Sequence, residues 1–114
     1  MTPLDGLKAE QEAARLLEAS GMVILDRRYR SRAGEIDLVA RDGRAVVFVE
    51  VKARSSAAFG VPEEAVDRRK RRRLARSAAA YLAERGLGNA PARFDVVAIT
   101  PEGIRHLADA FRPE

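Results

Sequence analysis

Hydrophobic positions along the chain follow two periods, and the switches between them mark out the elements. From Leu4 to Ser20 the apolar residues Leu7, Ala13, Ala14, Leu16 and Leu17 recur at the mixed spacing of one helix face, and Gly21 supplies a stop. Met22 to Arg28 predicts a short strand around the apolar run Val23, Ile24 and Leu25, and the polar, basic residues after it predict a loop. Gly34 to Arg41 and Arg44 to Ala53 predict two strands around Asp42-Gly43, a pair suited to the positive φ angles of a tight hairpin turn. Pro62 opens a long helix with Glu63 and Glu64 at its positive end, and helical periodicity runs to about Arg85 before Gly86. Leu87 to Pro91 reads as a connection, Phe94 to Thr100 as a strand, Pro101 to Gly103 as a turn and Ile104 to Ala108 as a final edge strand. The predicted order is αβββαβ with one further β, an α/β fold. No repeat or linker divides residues 1–114 into more than a single expected domain.

The hairpin carries the candidate chemistry. With Asp42 and Gly43 in the turn, Val39 opposes Val46, Asp37 opposes Phe48 and Glu35 opposes Glu50, and opposed residues share a face. One face shows Ile36, Leu38, Ala40, Ala45, Val47, Val49 and Val51. The other shows Val39, Val46 and Phe48 near the turn and Glu35, Asp37, Glu50 and Lys52 beyond it. The apolar half of this second face asks for cover as well, which leaves the carboxylates at the margin of a core, where unpaired charge is expensive. Two readings follow. Converging carboxylates with no cysteine suit a hard cation such as Mg²⁺ or Mn²⁺, which activates water and polarises a phosphodiester. Lys52, pointing to the same side as Glu50, would then orient the attacking water or neutralise charge developing on the phosphate. Alternatively the charged residues form cross-strand ion pairs on a solvated face, each contributing little.

Charge distribution adds a candidate partner. The formal net charge is +4, and the basic residues cluster at Arg27-Arg28-Tyr29-Arg30-Ser31-Arg32 and Arg68-Arg69-Lys70-Arg71-Arg72-Arg73. Arginine forks suit bidentate phosphate contacts, which points to nucleic acid; solvated helix faces and a GC-rich genome account for the same excess. Lys70 lies on the line Val66, Lys70, Leu74, so it either reaches toward a phosphate or snorkels at the core edge. Tyr29 and Arg30 either contact a nucleic-acid backbone or, for Tyr29, pack at a strand end. Asp95 either extends the acidic site or pairs with an arginine, and His106, without a second ligand signal, reads as structural. Absent cysteine excludes disulfides, thiolate zinc sites and cysteine nucleophiles. No apolar run approaches the roughly 20 residues of a membrane span, and the N-terminus has no signal-peptide pattern, so the expected location is the cytoplasm.

Asp37 followed by Glu50-Val51-Lys52 resembles the PD-(D/E)xK nuclease motif. The wider segments Gly34-Glu35-Ile36-Asp37-Leu38-Val39-Ala40, Phe48-Val49-Glu50-Val51-Lys52-Ala53-Arg54, Phe59-Gly60 and Arg93-Phe94-Asp95-Val96-Val97 resemble the YraN family of bacterial proteins over nearly the whole chain. That family is similar in turn to archaeal Holliday junction resolvases. The resemblance implies a restriction-endonuclease-like fold, Mg²⁺-dependent (or Mn²⁺-dependent) cleavage of DNA and often a homodimer. It puts Glu10, in the pattern Gly6-x-x-x-Glu10, with Asp37 and Glu50 as metal ligands and Lys52 as the catalytic lysine. Arg28, Tyr29, Arg30, Arg32, Arg54 and Lys70 are the candidate nucleic-acid contacts. A non-catalytic nucleic-acid-binding module of a larger DNA-processing assembly is the other reading of the same residues.

Overall fold

The computed structural model describes residues 3–53 and 67–112, with side chains from residue 7 onward. In chain order the elements are α1 (Pro3–Ala19), β1 (Val23–Ser31), β2 (Gly34–Asp42), β3 (Ala45–Ala53), α2 (Arg68–Glu84), β4 (Ala92–Thr100) and β5 (Gly103–Phe111). The strands lie in sequence order in one mixed sheet; β3 and β4 are parallel and all other neighbours antiparallel. This is the expected α/β order, αβββαβ plus an edge strand, and that last strand continues past Ala108 to Phe111.

Each helix ends as its glycine predicts. Met22 N–H bonds to the Leu17 carbonyl and Gly21 N–H to Glu18; Leu87 N–H bonds to Leu82 and Gly86 N–H to Ala83. These paired bonds are the Schellman closure, which satisfies carbonyls the helix itself leaves open. The start of α2 differs from expectation. Asp67 is extended and its side chain accepts the Lys70 N–H at 2.8 Å, so helix begins at Arg68; Pro62, Glu63 and Glu64 lie outside the described residues.

The sheet is covered on both faces. α1 packs Ala13, Ala14 and Leu17 against Leu38, Ala40, Val47, Val49 and Val97, and its alanines permit close approach. α2 packs Leu74, Ala78 and Tyr81 against Ile36, Val39, Val46, Phe48, Phe94, Val96 and Phe111. Every described aromatic side chain joins this second core as one chain of rings, Tyr29–Tyr81–Phe48–Phe94–Phe111, with centroids 5.0 to 5.8 Å apart. Edge-on and offset pairs at such distances each contribute about 0.5–1.5 kcal/mol beyond burial.

Three expectations about β1 and β2 are corrected. The first basic cluster is strand and not loop: β1 runs to Ser31, because an edge strand tolerates exposed arginines while Tyr29 goes to the core. The hairpin turn is Gly43-Arg44, not Asp42-Gly43, since Asp42 pairs with Ala45 and Val39 with Phe48. Gly43 has φ 60°, the value the first central residue of a type II′ turn requires. Finally, Ile36 packs with Val39 on the α2 side, not with Leu38 on the α1 side. Residues three apart cannot share a face of a regular strand, so alternation breaks between them. β1 breaks at the same level. Arg28 there has φ 53°, and the register holds on either side, Arg27 with Leu38 and Tyr29 with Ile36.

At the far end of the sheet Asp95, fully buried, ties β4 to β5. It accepts from Arg93 Nε at 3.0 Å and Nη2 at 3.2 Å and from the Asp109 N–H at 2.9 Å, and its Oδ2 lies 2.7 Å from His106 Nε2. Asp95 therefore pairs with an arginine, and His106 is a structural partner. Arg93, 24% exposed, also donates to Asp42 Oδ2 at 3.0 Å, so loss of Asp95 leaves it a partner and chiefly orphans the Asp109 N–H and the His106 ring. Asp95→Ala is expected to lower stability by about 2–4 kcal/mol in urea unfolding, with Asp95→Asn intermediate because it keeps an acceptor.

Candidate metal centre

The break in the pleat decides where the acids go. Val39 faces α2, but Asp37 and Glu35 meet Glu10, which stands on α1 beside the buried residues Ala9, Ala13 and Ala14. One carboxylate oxygen from each of Glu10, Glu35 and Asp37 lies within 4.8 Å of the others. Three oxygen donors so arranged fit a hard divalent cation, and Glu50 is outside this group. Glu35 was not among the ligands implied by the resemblance, although strand alternation already set it beside Asp37.

Asp37 also borders Glu50. The paired ladder ends at Leu38 and Val49, so Asp37 and Glu50 come next in line, and Asp37 Oδ2 accepts the Val51 N–H at 2.8 Å. Burial, then the charge of Glu50, push the Asp37 carboxyl up to about 7, against the pull of the Val51 bond. Glu50 itself is only 7% exposed and lies on the α2 side. Its Oε1 is 3.0 Å from Lys70 Nζ and 3.8 Å from Lys52 Nζ. The Asp67 cap fixes the backbone of Lys70, so the helix start also sets the reach of its ammonium. Burial pulls the Lys70 pKa down, yet it is raised, by a hydrogen bond with Lys52 and then by the charge and hydrogen bond of Glu50.

The acids also have guanidinium partners. Arg28 Nε donates to Glu10 Oε1 at 2.8 Å, and Arg30 Nε donates to Glu35 Oε2 at 3.0 Å. The left-handed Arg28 thus spans from the broken strand to α1. Of the other expected nucleic-acid contacts, Arg32 is exposed after β1, while the Tyr29 ring packs edge-on against Tyr81 at 5.0 Å. Arg54 and Phe59-Gly60 lie outside the described residues. Between the β1–β2 turn and α2 opens a cavity of about 270 Å³, lined among others by Gly34, Glu35, Lys70, Arg73 and Ser77. It puts one acid of the cluster and two cations on a shared wall.

The acid, the Glu50-x-Lys52 pair and the αβββαβ scaffold can now be set beside known proteins. Residues 9–99 match the model of the family described as "Uncharacterised protein family UPF0102". The chain belongs to this family. It is the YraN-like family that the sequence motifs resemble. A UPF0102 protein of Moorella thermoacetica is 55% identical over 94 residues, covering 82% of this chain and 78% of the relative. One from Geobacter sulfurreducens is 46% identical over 111 residues, covering 93% and 87%. One from Beutenbergia cavernae is 50% identical over 109 residues, covering 96% and 89%. Glu10, Asp37, Glu50, Lys52 and Lys70 of this UPF0102 chain all fall inside the matched span. No helix among the described residues is long and apolar enough to cross a membrane.

The raised Asp37 pKa gives a pH dependence with a definite sign. A carboxyl that holds its proton more tightly in the folded chain stabilises it fully below the ordinary carboxylate range. That contribution is lost as pH rises toward about 7. Without divalent cations, Asp37→Asn should therefore gain on the wild type between pH 5 and pH 8, by roughly 2–3 kcal/mol. Urea unfolding in chelator at the two pH values measures this; an unchanged difference would show that Asp37 titrates normally.

Proposed function

We propose that this UPF0102 protein is a divalent-cation-dependent endonuclease that cleaves structured or branched DNA in the manner of a Holliday junction resolvase. The observation that carries the reading is Asp37. It is a half-buried carboxyl group set between Glu10 and Glu35 on one side and Glu50 on the other, with its pKa pushed up to about 7. Acids crowded at the edge of two cores cost free energy until a cation joins them. Mg²⁺ or Mn²⁺ would be held by Glu10, Glu35 and Asp37, with Glu50 at its border. When bound, the ion supplies an acidified water and a polarised phosphodiester.

The chain's own residues do the rest. Lys52 Nζ, 3.8 Å from Glu50, is the donor for charge developing on the phosphate. Lys70 and Arg73 line the cavity beside Glu35 and hold the phosphate backbone there. Arg28 and Arg30 sit on Glu10 and Glu35, where a cation would compete with them, and are then available to the backbone with Arg32. A symmetric junction has two strands to cut, which calls for a homodimer of this domain, residues 1–114, acting in the cytoplasm.

One observation favours a second reading. Glu10, Glu35 and Glu50 each already have a basic partner within the chain, as a DNA-binding module without catalysis would keep them.

The two are separated by incubating the protein with linear, single-stranded, flap and four-way-junction DNA, with and without Mg²⁺ or Mn²⁺. Metal-dependent product is expected, reduced about 100-fold or more in Lys52→Ala and Asp37→Asn. Salt-sensitive binding with no product on any substrate would overturn the nuclease and support the module.

A further inference from the structure

The cavity between the β1–β2 turn and α2 changes character with depth. α2 gives it one face, Lys70, Arg73, Leu74 and Ser77 at the three and four spacing of neighbouring turns, and the β1–β2 turn gives it Ala33, Gly34 and Glu35. Arg73 and Glu35 are exposed and Lys70 half-buried, whereas Leu74 and Ser77 are buried and Ala33 half-buried. A charged rim thus stands over a floor that is mostly apolar. The walls are set by contacts within the chain. Ser31 Oγ and Ser77 Oγ lie 2.9 Å apart, Ala33 N–H donates to Ser31 Oγ at 3.1 Å, and Ser77 Oγ lies 3.3 Å from the Gly34 carbonyl oxygen, which together hold the turn on the helix.

Two of the rim charges are already matched. Lys70 pairs with Glu50 and Glu35 with Arg30, each at 3.0 Å. The cavity is therefore a space and not a gap in the charge balance, so volume and floor decide what fits it. A water takes up about 30 Å³ of the liquid, and a cavity of about 270 Å³ has room for roughly nine. A phosphate group alone fills a fraction of that, and a base pair needs more. A base with its sugar is of the right scale, and its apolar faces and polar edges suit an apolar floor below polar groups.

We infer that this cavity receives one unpaired nucleotide of the DNA, with its phosphate at Lys70 and Arg73 and its base and sugar against Ala33, Leu74 and Ser77. The inference rests on the nuclease reading for the phosphate at the rim, and it adds the structural feature by which the substrate is chosen. A paired base reaches such a space only after leaving its stack and its partner, a cost that is least for a mismatched or single-stranded base. Branch points and flaps offer unpaired nucleotides, and a continuous duplex does not. Because Glu35 belongs both to the cavity wall and to the acid cluster, the cut is placed beside the unpaired position.

The test measures binding in chelator, where cleavage plays no part. Two DNA duplexes of equal length are compared by fluorescence anisotropy, one fully paired and one with a single unpaired 2-aminopurine. The second is expected to bind on the order of tenfold more tightly. Its 2-aminopurine emission should rise on binding, because the base leaves its stack and no aromatic ring is among the described residues that line the cavity. Ala33→Leu fills the floor without changing charge; the preference should drop to about twofold or less, with the paired duplex bound as before. Arg73→Ala should instead weaken both DNAs alike, since a phosphate contact makes no such distinction. Melting curves check that the variants fold, and the smaller Ala33→Val should give a partial loss in the same direction.

Equal binding of the two duplexes by the wild type, or a preference that survives Ala33→Leu, would overturn the pocket. A deoxynucleoside monophosphate that raises the melting temperature of the wild type and not of Ala33→Leu, while both duplexes bind alike, would overturn the DNA assignment in favour of a free nucleotide. Inorganic phosphate that is as effective as the mononucleotide would overturn the place given to base and sugar. An Ala33-dependent preference in a protein that cuts no DNA sinks the nuclease reading and leaves the pocket standing; cleavage whose choice of substrate ignores Ala33→Leu does the reverse.

Discussion

Everything at the candidate centre depends on a failure of strand alternation at Arg28 and Asp37. Had β2 kept a regular pleat, Asp37 would have followed Val39 onto the α2 side, and Glu10 on α1 would have stood alone. Because both strands break at one level, register survives, and two acids of β2 turn to meet a third from a helix on the opposite face. The break is held from several directions. Arg28 bonds to Glu10, Asp37 takes the Val51 N–H, and Tyr29 and Ile36 anchor the neighbouring residues in the aromatic core. A left-handed residue on a strand costs free energy, and these contacts offset it.

The acids and the basic face of α2 come from different layers of the fold. α1 contributes one carboxylate and otherwise small apolar residues, so its role is to close on the sheet and bring Glu10 to the right height. α2 contributes cations on both sides of a narrow apolar stripe. Its Asp67 cap sets the first turn, and from there Lys70 reaches Glu50. The acids belong to the sheet and α1, and the cations that face them across the cavity to α2.

Much of this was legible in the sequence wherever the pattern was regular. β3 alternates without interruption, so Val46, Phe48 and Glu50 separate correctly from Val47 and Val49. Gly21 and Gly86 mark the helix ends, and the Val66–Lys70–Leu74 line places Lys70 at the core edge. Ile36 was misassigned because a pleat break leaves no trace in apolar alternation; the compensating signal, a left-handed residue on the neighbouring strand, is arginine and not glycine. The turn slipped by one residue because both Asp42-Gly43 and Gly43-Arg44 put a glycine in a two-residue loop, but the slip is even across the ladder and left the β3 faces intact. Arginines in β1 looked like loop because an edge strand needs little apolar content. Glu10 came from family resemblance alone, because it meets Glu35 and Asp37 some twenty-five positions away, which no local pattern reveals.

The parallel pairing of β3 and β4 has a consequence for how the molecule comes together. α1 and the two hairpins of β1–β3 involve neighbours in sequence, whereas Val46 finds Ala92 only across a long crossover that contains α2. Closing that loop is the slow, entropically expensive step in such a topology. The three acids belong wholly to the early, local half of the chain, while Lys70 and Arg73 arrive with the late half. During folding, then, the three acids can come together before the basic residues of α2 are beside them, and an incompletely folded chain would carry the acid cluster without Lys70 and Arg73 at its margin.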